Sequence, residues 1–149
     1  MKPVLVLKFG GSVLRGPDDY PRAVHEIYRH FRRGRGVVAV VSASCGTTDR
    51  LVSEAGEAGA DSPAAASLLA TGERASAARL ALALERSGIP NVVLDPQAIG
   101  FVVRGPAHRA VPEGITISRL AAALEAGFVV VLPGFFGERP DGTIGLLGR

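Results

Sequence analysis

The sequence predicts an α/β fold in which helices cover both faces of a parallel sheet. Short apolar runs rich in β-branched residues, such as Val37–Ser42, indicate strands that are buried on both faces. Longer segments with apolar residues at helical spacing, such as Pro17–Arg33, alternate with these runs along the chain. The chain has 149 residues, of which 47% are hydrophobic, so it is long enough to form one domain with a core.

Strands are predicted wherever an apolar run is bounded by glycine or proline. These runs are Pro3–Lys8, Val37–Ser42, Asn91–Leu94 and Phe128–Leu132, and all except the third are expected to be buried. The segment Pro96–Pro112 is irregular and is expected to hold short edge strands. Asp141–Gly142 is a turn signal, so Phe135–Leu147 is predicted to form a hairpin.

Helices are predicted between these strands from the spacing of their apolar residues. They are Pro17–Arg33, Thr47–Ala58, Ser62–Ser87 and Thr116–Ala126. Gly88 and Gly127 are placed to end the third and fourth helices. Thr116 is expected to cap the fourth helix, and an interruption of the third near Thr71–Gly72 is left open.

Charge and cysteine content narrow the class of protein. The net charge is +3 and the pI about 9.6, a balance that attracts anions. The basic run Arg29–Arg35 suits the C-terminal end of a helix, whereas an RNA-binding patch would carry interleaved aromatic residues. The single cysteine, Cys45, excludes an internal disulfide framework. No apolar run is long enough to span a bilayer, and a cytoplasmic enzyme is expected.

The first candidate site is the segment Lys8–Ser12, where a strand gives way to a helix. Gly10 and Gly11 let the backbone approach an anion, and consecutive amides can hold phosphate oxygens. Lys8 can place a positive charge beside a transferring phosphoryl group. The alternative is a tight glycine turn with a solvated lysine.

Two further candidate sites follow along the chain. The hydroxyl-rich segment Ser42–Thr48 comes directly after a buried strand, where small polar residues commonly line a ligand crevice. It is equally consistent with a capping turn. Glu73, beside Gly72 in an Ala/Leu-rich helix, can hold a substrate ammonium group, or it can form a surface ion pair with Arg74.

The fourth candidate site is the C-terminal segment that follows the last buried strand. Arg149 can clamp a carboxylate at two points, or it can belong to a frayed end. His25, His30 and His108 show no metal-ligand spacing, so no metal site is predicted.

Taken in order, these motifs resemble the aspartokinases of the amino acid kinase family. The resemblance covers the whole chain and rests on Lys8–Val13, Val41–Gly46, Leu69–Ala77 and Gly134–Arg149. It implies a three-layer αβα sandwich around a mostly parallel sheet. The implied reaction is ATP-dependent phosphorylation of the L-aspartate side-chain carboxylate, the entry step to lysine, threonine and methionine synthesis.

The resemblance also implies roles for individual residues. Lys8 would be catalytic, because it neutralises charge on the transferring phosphate. Gly10, Gly11 and Ser12 would line the phosphate side. Ser42 and Ser44 would border the pocket, Glu73 would hold the ammonium group of aspartate, and Arg149 would hold its α-carboxylate. Lys8, Glu73 and Arg149 are accordingly expected to converge on one crevice at the carboxyl edge of the sheet.

By the same resemblance, residues 1–149 would form the N-terminal amino-acid-binding portion of a kinase domain. The ATP-binding portion and the regulatory ACT domains would lie outside the chain, which is expected to be inactive alone. Expected ligands are L-aspartate and ATP with Mg²⁺, and a homo-oligomer is expected without nucleic acid or membrane partners.

The glycine turn departs from the family pattern Lys-Phe-Gly-Gly-Thr-Ser, because one residue is missing between Gly11 and Val13. That departure leaves two alternatives open. One is an acetylglutamate, glutamate 5- or uridylate kinase of the same family. The other is a non-catalytic amino-acid-binding or oligomerisation module.

Overall fold

The structure, a computed structural model, describes residues 3–58 and 61–148. Within these ranges the helices are α1 (Tyr20–Phe31), α2 (Thr47–Ala55), α3 (Pro63–Arg86) and α4 (Ser118–Glu125). The strands are β1 (Val4–Phe9), β2 (Gly36–Val41), β3 (Asn91–Val93), β4 (Val102–Arg104), β5 (Val111–Gly114), β6 (Val129–Pro133), β7 (Phe136–Glu138) and β8 (Ile144–Leu146). Short 3-10 turns precede α1 and follow β3. No helix of the described residues is long and apolar enough to cross a membrane.

The central sheet has the strand order β1-β2-β6-β3, and each neighbouring pair is parallel. Alternate side chains of β2 point to opposite faces, as a strand requires. Val37, Ala39 and Val41 pack with α1 and α3, whereas Val38 and Val40 pack with α4 on the other face. The predicted sandwich, with helices on both faces of a mostly parallel sheet, is confirmed.

The edge strand β1 departs from the expectation of a buried strand. Leu7 and Phe9 face α1 and the core, but Val4 and Val6 on the opposite face are 50% and 63% exposed. β1 pairs only with β2 among the described residues, and α4 covers the middle of the sheet instead. An apolar run therefore predicted the strand correctly and its burial wrongly.

A second, mixed sheet has the strand order β5-β4-β7-β8. β7 and β8 form the antiparallel hairpin predicted from Asp141–Gly142. Phe136, Ile144 and Leu146 of this sheet pack against Ala66 and Ala70 in the first half of α3. The mixed sheet therefore shares α3 with the central sheet, an arrangement that the sequence did not predict.

The long helix α3 runs without interruption through Gly72, where a break had been left open. Ser62 caps its start by accepting a hydrogen bond from the Ala65 amide at 3.2 Å. The fourth helix begins at Ser118, and the expected Thr116 cap is wrong because Ile117 occupies the cap position. Gly88 and Gly127, both with positive φ, follow α3 and α4 as predicted.

Candidate functional site

A polar pocket of about 330 Å³ lies at the carboxyl edge of the central sheet. Parallel strands end together at this edge, so the loops after β1, β2 and β6 meet there. Gly11 comes from the first loop, Ser42 and Ser44 come from the second, and Phe135 comes from the third. Glu73 of α3 completes the wall. The pocket thus joins residues from all four segments that the sequence singled out.

The loop from β2 to α2 supplies most of the pocket's polar groups. It leaves the sheet where the Ser42 amide donates to the Phe9 carbonyl at 3.0 Å, and it turns through Gly46 at φ 75°. No side chain caps α2, and the amides of Thr48 and Asp49 donate to no described residue. Both residues line the pocket, so a helix N-terminus with free amides opens into it.

Glu73 is the most unusual group in the pocket, because its carboxylate is buried and forms no ion pair within residues 3–58 and 61–148. The residue is only 3% exposed, and its Oε2 atom has no hydrogen-bond partner among the described residues. Burial raises the pKa of Glu73 from an ordinary 4.5 to about 7, although a hydrogen bond from the Ala43 backbone opposes that shift. A cationic ligand would complete the electrostatics of this site.

Gly72 explains how Glu73 comes so close to the loop after β2. A Cβ atom at Gly72 would lie 3.1 Å from the Ala43 Cβ and 3.1 Å from Leu51 Cδ1. Only glycine allows α3 to approach the loop and α2 so closely. The helix therefore tolerates glycine in its interior because contact with its neighbours requires it.

Phe135 forms the far wall of the pocket in a strained backbone conformation. Its φ of 71° is the only positive value at a non-glycine residue among the described positions. The Phe135 carbonyl accepts from the Leu147 amide at 2.8 Å, and the preceding Gly134 amide donates to Val41 at 2.8 Å. These bonds hold the strained residue between the two sheets, where it faces the loop after β2.

The glycine turn lies beside the pocket and partly within it. The amides of Gly10, Gly11 and Ser12 donate to no described residue, which leaves them available to an anion. A Cβ atom at Gly11 would lie 3.0 Å from the Ala43 carbonyl oxygen, so this glycine is needed for the two loops to touch. Lys8 is exposed on β1 and does not line the pocket.

Arg74, the neighbour of Glu73, contacts residues outside the pocket. Its Nε atom lies 2.8 Å from Asp95 Oδ2, and its guanidinium lies 5.0 Å from the centre of the Phe136 ring. The alternative interpretation of Glu73 and Arg74 as a surface ion pair is therefore wrong. Arg74 instead ties α3 to the end of β3 and to the mixed sheet.

The predicted site residues thus fall into three groups. Gly11, Ser42, Ser44 and Glu73 line one pocket. Gly10 and Ser12 lie in the adjoining turn, Lys8 lies on β1 just before it, and Arg149 lies outside the described residues. The convergence of Lys8, Glu73 and Arg149 on one crevice stays a prediction.

Sequence reasoning missed two kinds of pocket residue. Phe135 stood inside the quoted C-terminal motif but was given no role, because a strained backbone leaves no sequence signal. Thr48 stood inside the quoted hydroxyl-rich segment, and its place after a predicted helix start was the available signal. The described residues contain no cluster of three His, Cys, Asp or Glu side chains that could hold a metal ion.

Comparison with known proteins shows which family model and which relatives this chain matches. The family model described as the amino acid kinase family matches residues 3–149. An aspartokinase from Thermus thermophilus is 32% identical over 148 residues, which are 98% of this chain and 36% of that protein. Aspartokinase 2 from Bacillus subtilis is 34% identical over 149 residues, with the same two coverages. The chain thus spans about a third of the length of these relatives.

The chain also superimposes on solved structures of aspartate kinases. Aspartate kinase from Synechocystis superimposes with a TM-score of 0.77 at 30% identity, over 98% of this chain and 24% of that one. Aspartokinase III from E. coli, solved with aspartate and ADP, superimposes with a TM-score of 0.81 at 20% identity. That match covers 99% of this chain and 44% of the E. coli chain.

Proposed function

This chain belongs to the amino acid kinase family, and from that premise we propose that residues 1–149 form the acceptor-binding portion of an aspartate kinase. The proposed reaction is transfer of a phosphoryl group from ATP to the side-chain carboxylate of L-aspartate. The observation that carries the proposal is the buried Glu73 carboxylate in a polar pocket at the sheet edge, where one of its oxygens has no partner in the part of the chain that the structure describes.

Glu73 is proposed to bind the ammonium group of the acceptor. A carboxylate that is 3% exposed is costly to ionise unless a cation pairs with it. An α-ammonium group supplies that charge and three hydrogen-bond donors in a small volume. The pocket would therefore select acceptors that carry an amine.

The N-terminus of α2 is proposed to hold the side-chain carboxylate of aspartate. The free amides of Thr48 and Asp49 and the partial positive charge of a helix start both favour an anion. Ser42 and Ser44 supply neutral hydroxyl groups on the same wall. Arg149 is proposed, by family resemblance, to bind the α-carboxylate.

The glycine turn is proposed to form the phosphate side of the site. ATP carrying Mg²⁺ would supply the transferable phosphoryl group. The amides of Gly10, Gly11 and Ser12 would hold phosphate oxygens, which fits the finding that they donate to no described residue. Lys8, exposed on β1 just before this turn, would neutralise charge that develops on the phosphoryl group.

This arrangement needs no strong general base, because the attacking carboxylate oxygen is already anionic. The chain's contribution would be to orient the acceptor between Glu73 and α2, and to aim its carboxylate at the glycine turn. By family resemblance, we further propose a cytoplasmic, homo-oligomeric protein in the synthesis of lysine, threonine and methionine.

Calorimetric titration of the chain with three ligands tests the proposal. L-Aspartate should bind. Succinate, which lacks the ammonium group, should bind at least about tenfold more weakly because Glu73 is left unpaired. L-Asparagine, which has a neutral side chain of similar shape, should bind more weakly than aspartate because α2 favours an anion.

Equal binding of succinate and aspartate would contradict the role of Glu73. No binding of aspartate at all would overturn the proposed function. We also propose that turnover needs more of the kinase than this acceptor side. An aspartyl hydroxamate assay with ATP and Mg²⁺ checks that claim, and turnover by the 149-residue chain would refute it.

A further inference from the structure

Cys45 occupies the rim of the proposed acceptor pocket. It is the chain's single cysteine, it is exposed, and it lines the same cavity as Glu73 and Ser44. A second observation marks this cavity as a place where a ligand binds. Glu73, 3% exposed, presents a buried oxygen there that has no partner among the described residues.

The backbone around Cys45 is held in place. The Ser44 carbonyl accepts from the Thr47 amide at 3.0 Å, which closes a turn around Cys45 and Gly46. On the other side, a Cβ atom at Gly11 would lie 3.8 Å from the Cys45 nitrogen. The Cys45 backbone is therefore held between the start of α2 and the glycine turn, and a group attached to its side chain would lie at the pocket rim.

We propose that Cys45 is a modification site at which low-molecular-weight disulfides close the acceptor pocket. The Cys45 thiolate attacks one sulfur of the disulfide, an S–S bond forms to Cys45, and the original S–S bond breaks. The other half leaves as a thiolate, so Cys45 is oxidised and the disulfide is reduced without a further oxidant. Because the chain has no second cysteine, the mixed disulfide is released only by an external thiol.

The inference rests on the proposed function, because it concerns access of aspartate to Glu73. An adduct as large as glutathione, a tripeptide, is bulky relative to a cavity of about 330 Å³. It would also bring its own charged groups to the N-terminus of α2 and compete there with the acceptor carboxylate. The affinity for aspartate would therefore depend on whether Cys45 is a free thiol or part of a mixed disulfide.

The test uses four samples of the 149-residue chain, with adducts checked by mass spectrometry. These are the reduced chain, the chain treated with oxidised glutathione, the chain treated with methyl methanethiosulfonate, and Cys45→Ser treated with oxidised glutathione. Calorimetry should show that the glutathione adduct binds aspartate at least about tenfold more weakly than the reduced chain. The small methylthio adduct should have a lesser effect, and dithiothreitol should reverse both.

Cys45→Ser should bind aspartate equally before and after the same treatment, since it has no thiol to modify. Saturating aspartate should also slow the reaction of Cys45 with a chromogenic disulfide. Equal aspartate affinity of the reduced and glutathione-treated chains would overturn the inference and leave the proposed function standing. Failure of Cys45 to react with oxidised glutathione would also overturn the inference and leave the proposed function standing. Failure of the reduced chain to bind aspartate would overturn both.

Discussion

Gly72 of α3 and Ala43 of the loop after β2 lie so close that a Cβ atom on Gly72 would be 3.1 Å from the Ala43 Cβ. Leu51 and Thr47 would meet the same atom at 3.1 Å and 3.2 Å. This contact brings the Ala43 backbone within hydrogen-bonding reach of Glu73. The position of the buried carboxylate therefore depends on a missing side chain one residue earlier.

Gly72→Ala should destabilise the chain by about 1 kcal/mol. Replacing glycine by alanine in a helix stabilises it by up to roughly 1 kcal/mol. Overpacking against Ala43 costs about 1–3 kcal/mol, because the methyl group of Ala43 can move only if its backbone moves. Urea unfolding measures the difference. Gly114→Ala, in β5, is a control for the steric cost alone, since a Cβ atom there meets nothing within 4 Å. If Gly72→Ala were more stable than the wild type, the loop after β2 would have to move at little cost to accept the new methyl group.

Glu73→Gln should weaken aspartate binding by about 2 kcal/mol or more at pH 8, because the ammonium group loses its buried ionic partner. The side chain keeps its shape, so the folded structure should persist. Calorimetry at pH 8 measures the effect. Glu85→Gln, at an exposed position of the same helix, is the control and should leave the affinity unchanged. An unchanged affinity for Glu73→Gln would remove this residue from the proposed site.

The stability of the chain should fall as pH rises from about 4.5 to about 7. The pKa of Glu73 is raised from 4.5 to about 7, so the folded state favours the protonated carboxyl. That contribution is complete below pH 4.5 and is lost as pH rises through 7, at a cost of up to roughly 3 kcal/mol. Comparing urea unfolding of the wild type and Glu73→Gln from pH 5 to pH 8 isolates this contribution. Parallel curves for the two proteins would refute the prediction.

Aspartate binding should depend on pH in the opposite direction. If Glu73 binds the ammonium group as an anion, the affinity should rise with pH up to about 7 and level off above it. Calorimetric titrations at several pH values measure this profile, with Glu73→Gln as the flat control. A flat wild-type profile would mean that binding does not change the protonation of Glu73, and a fall above pH 7 would mean that the bound carboxyl stays protonated. Either result would contradict the ionic role of Glu73.

The ion pair between Arg74 and Asp95 should contribute only modestly to stability. The two side chains are 36% and 38% exposed, so solvent screens their attraction. A double-mutant cycle of Arg74→Gln and Asp95→Asn should give a coupling free energy of about 0.5–1 kcal/mol. A coupling that vanishes would assign the role of Arg74 to its contact with the Phe136 ring.

The sequence predicted the alternation of strands and helices well, because apolar periodicity depends on which faces are buried. Val37–Ser42 and Pro17–Arg33 correspond to β2 and α1 within a few residues. The prediction of burial failed where burial depends on residues far away in the sequence. β1 has the same composition as a buried strand, yet its place at the sheet edge leaves Val4 and Val6 exposed.

The candidate site was predictable as a set of motifs but not as a geometry. Ser42, Ser44 and Glu73 were selected by residue type and position, and they share a pocket. That Glu73 is buried could not be read from its neighbours, since Arg74 suggested a surface pair. The approach of Gly72 to Ala43 and the backbone of Phe135 are tertiary properties without a local signature.

The exposed edge of β1 has a consequence for how the chain behaves at high concentration. Among the described residues, the outer side of β1 has no strand partner, and Val4 and Val6 are at least half exposed beside it. Another extended segment can pair with such an edge. Lys8 is the only charge that this strand offers against such stacking. A charged residue in place of Val6 should raise the solubility limit of the chain, because it would repel an incoming strand and leave the core untouched.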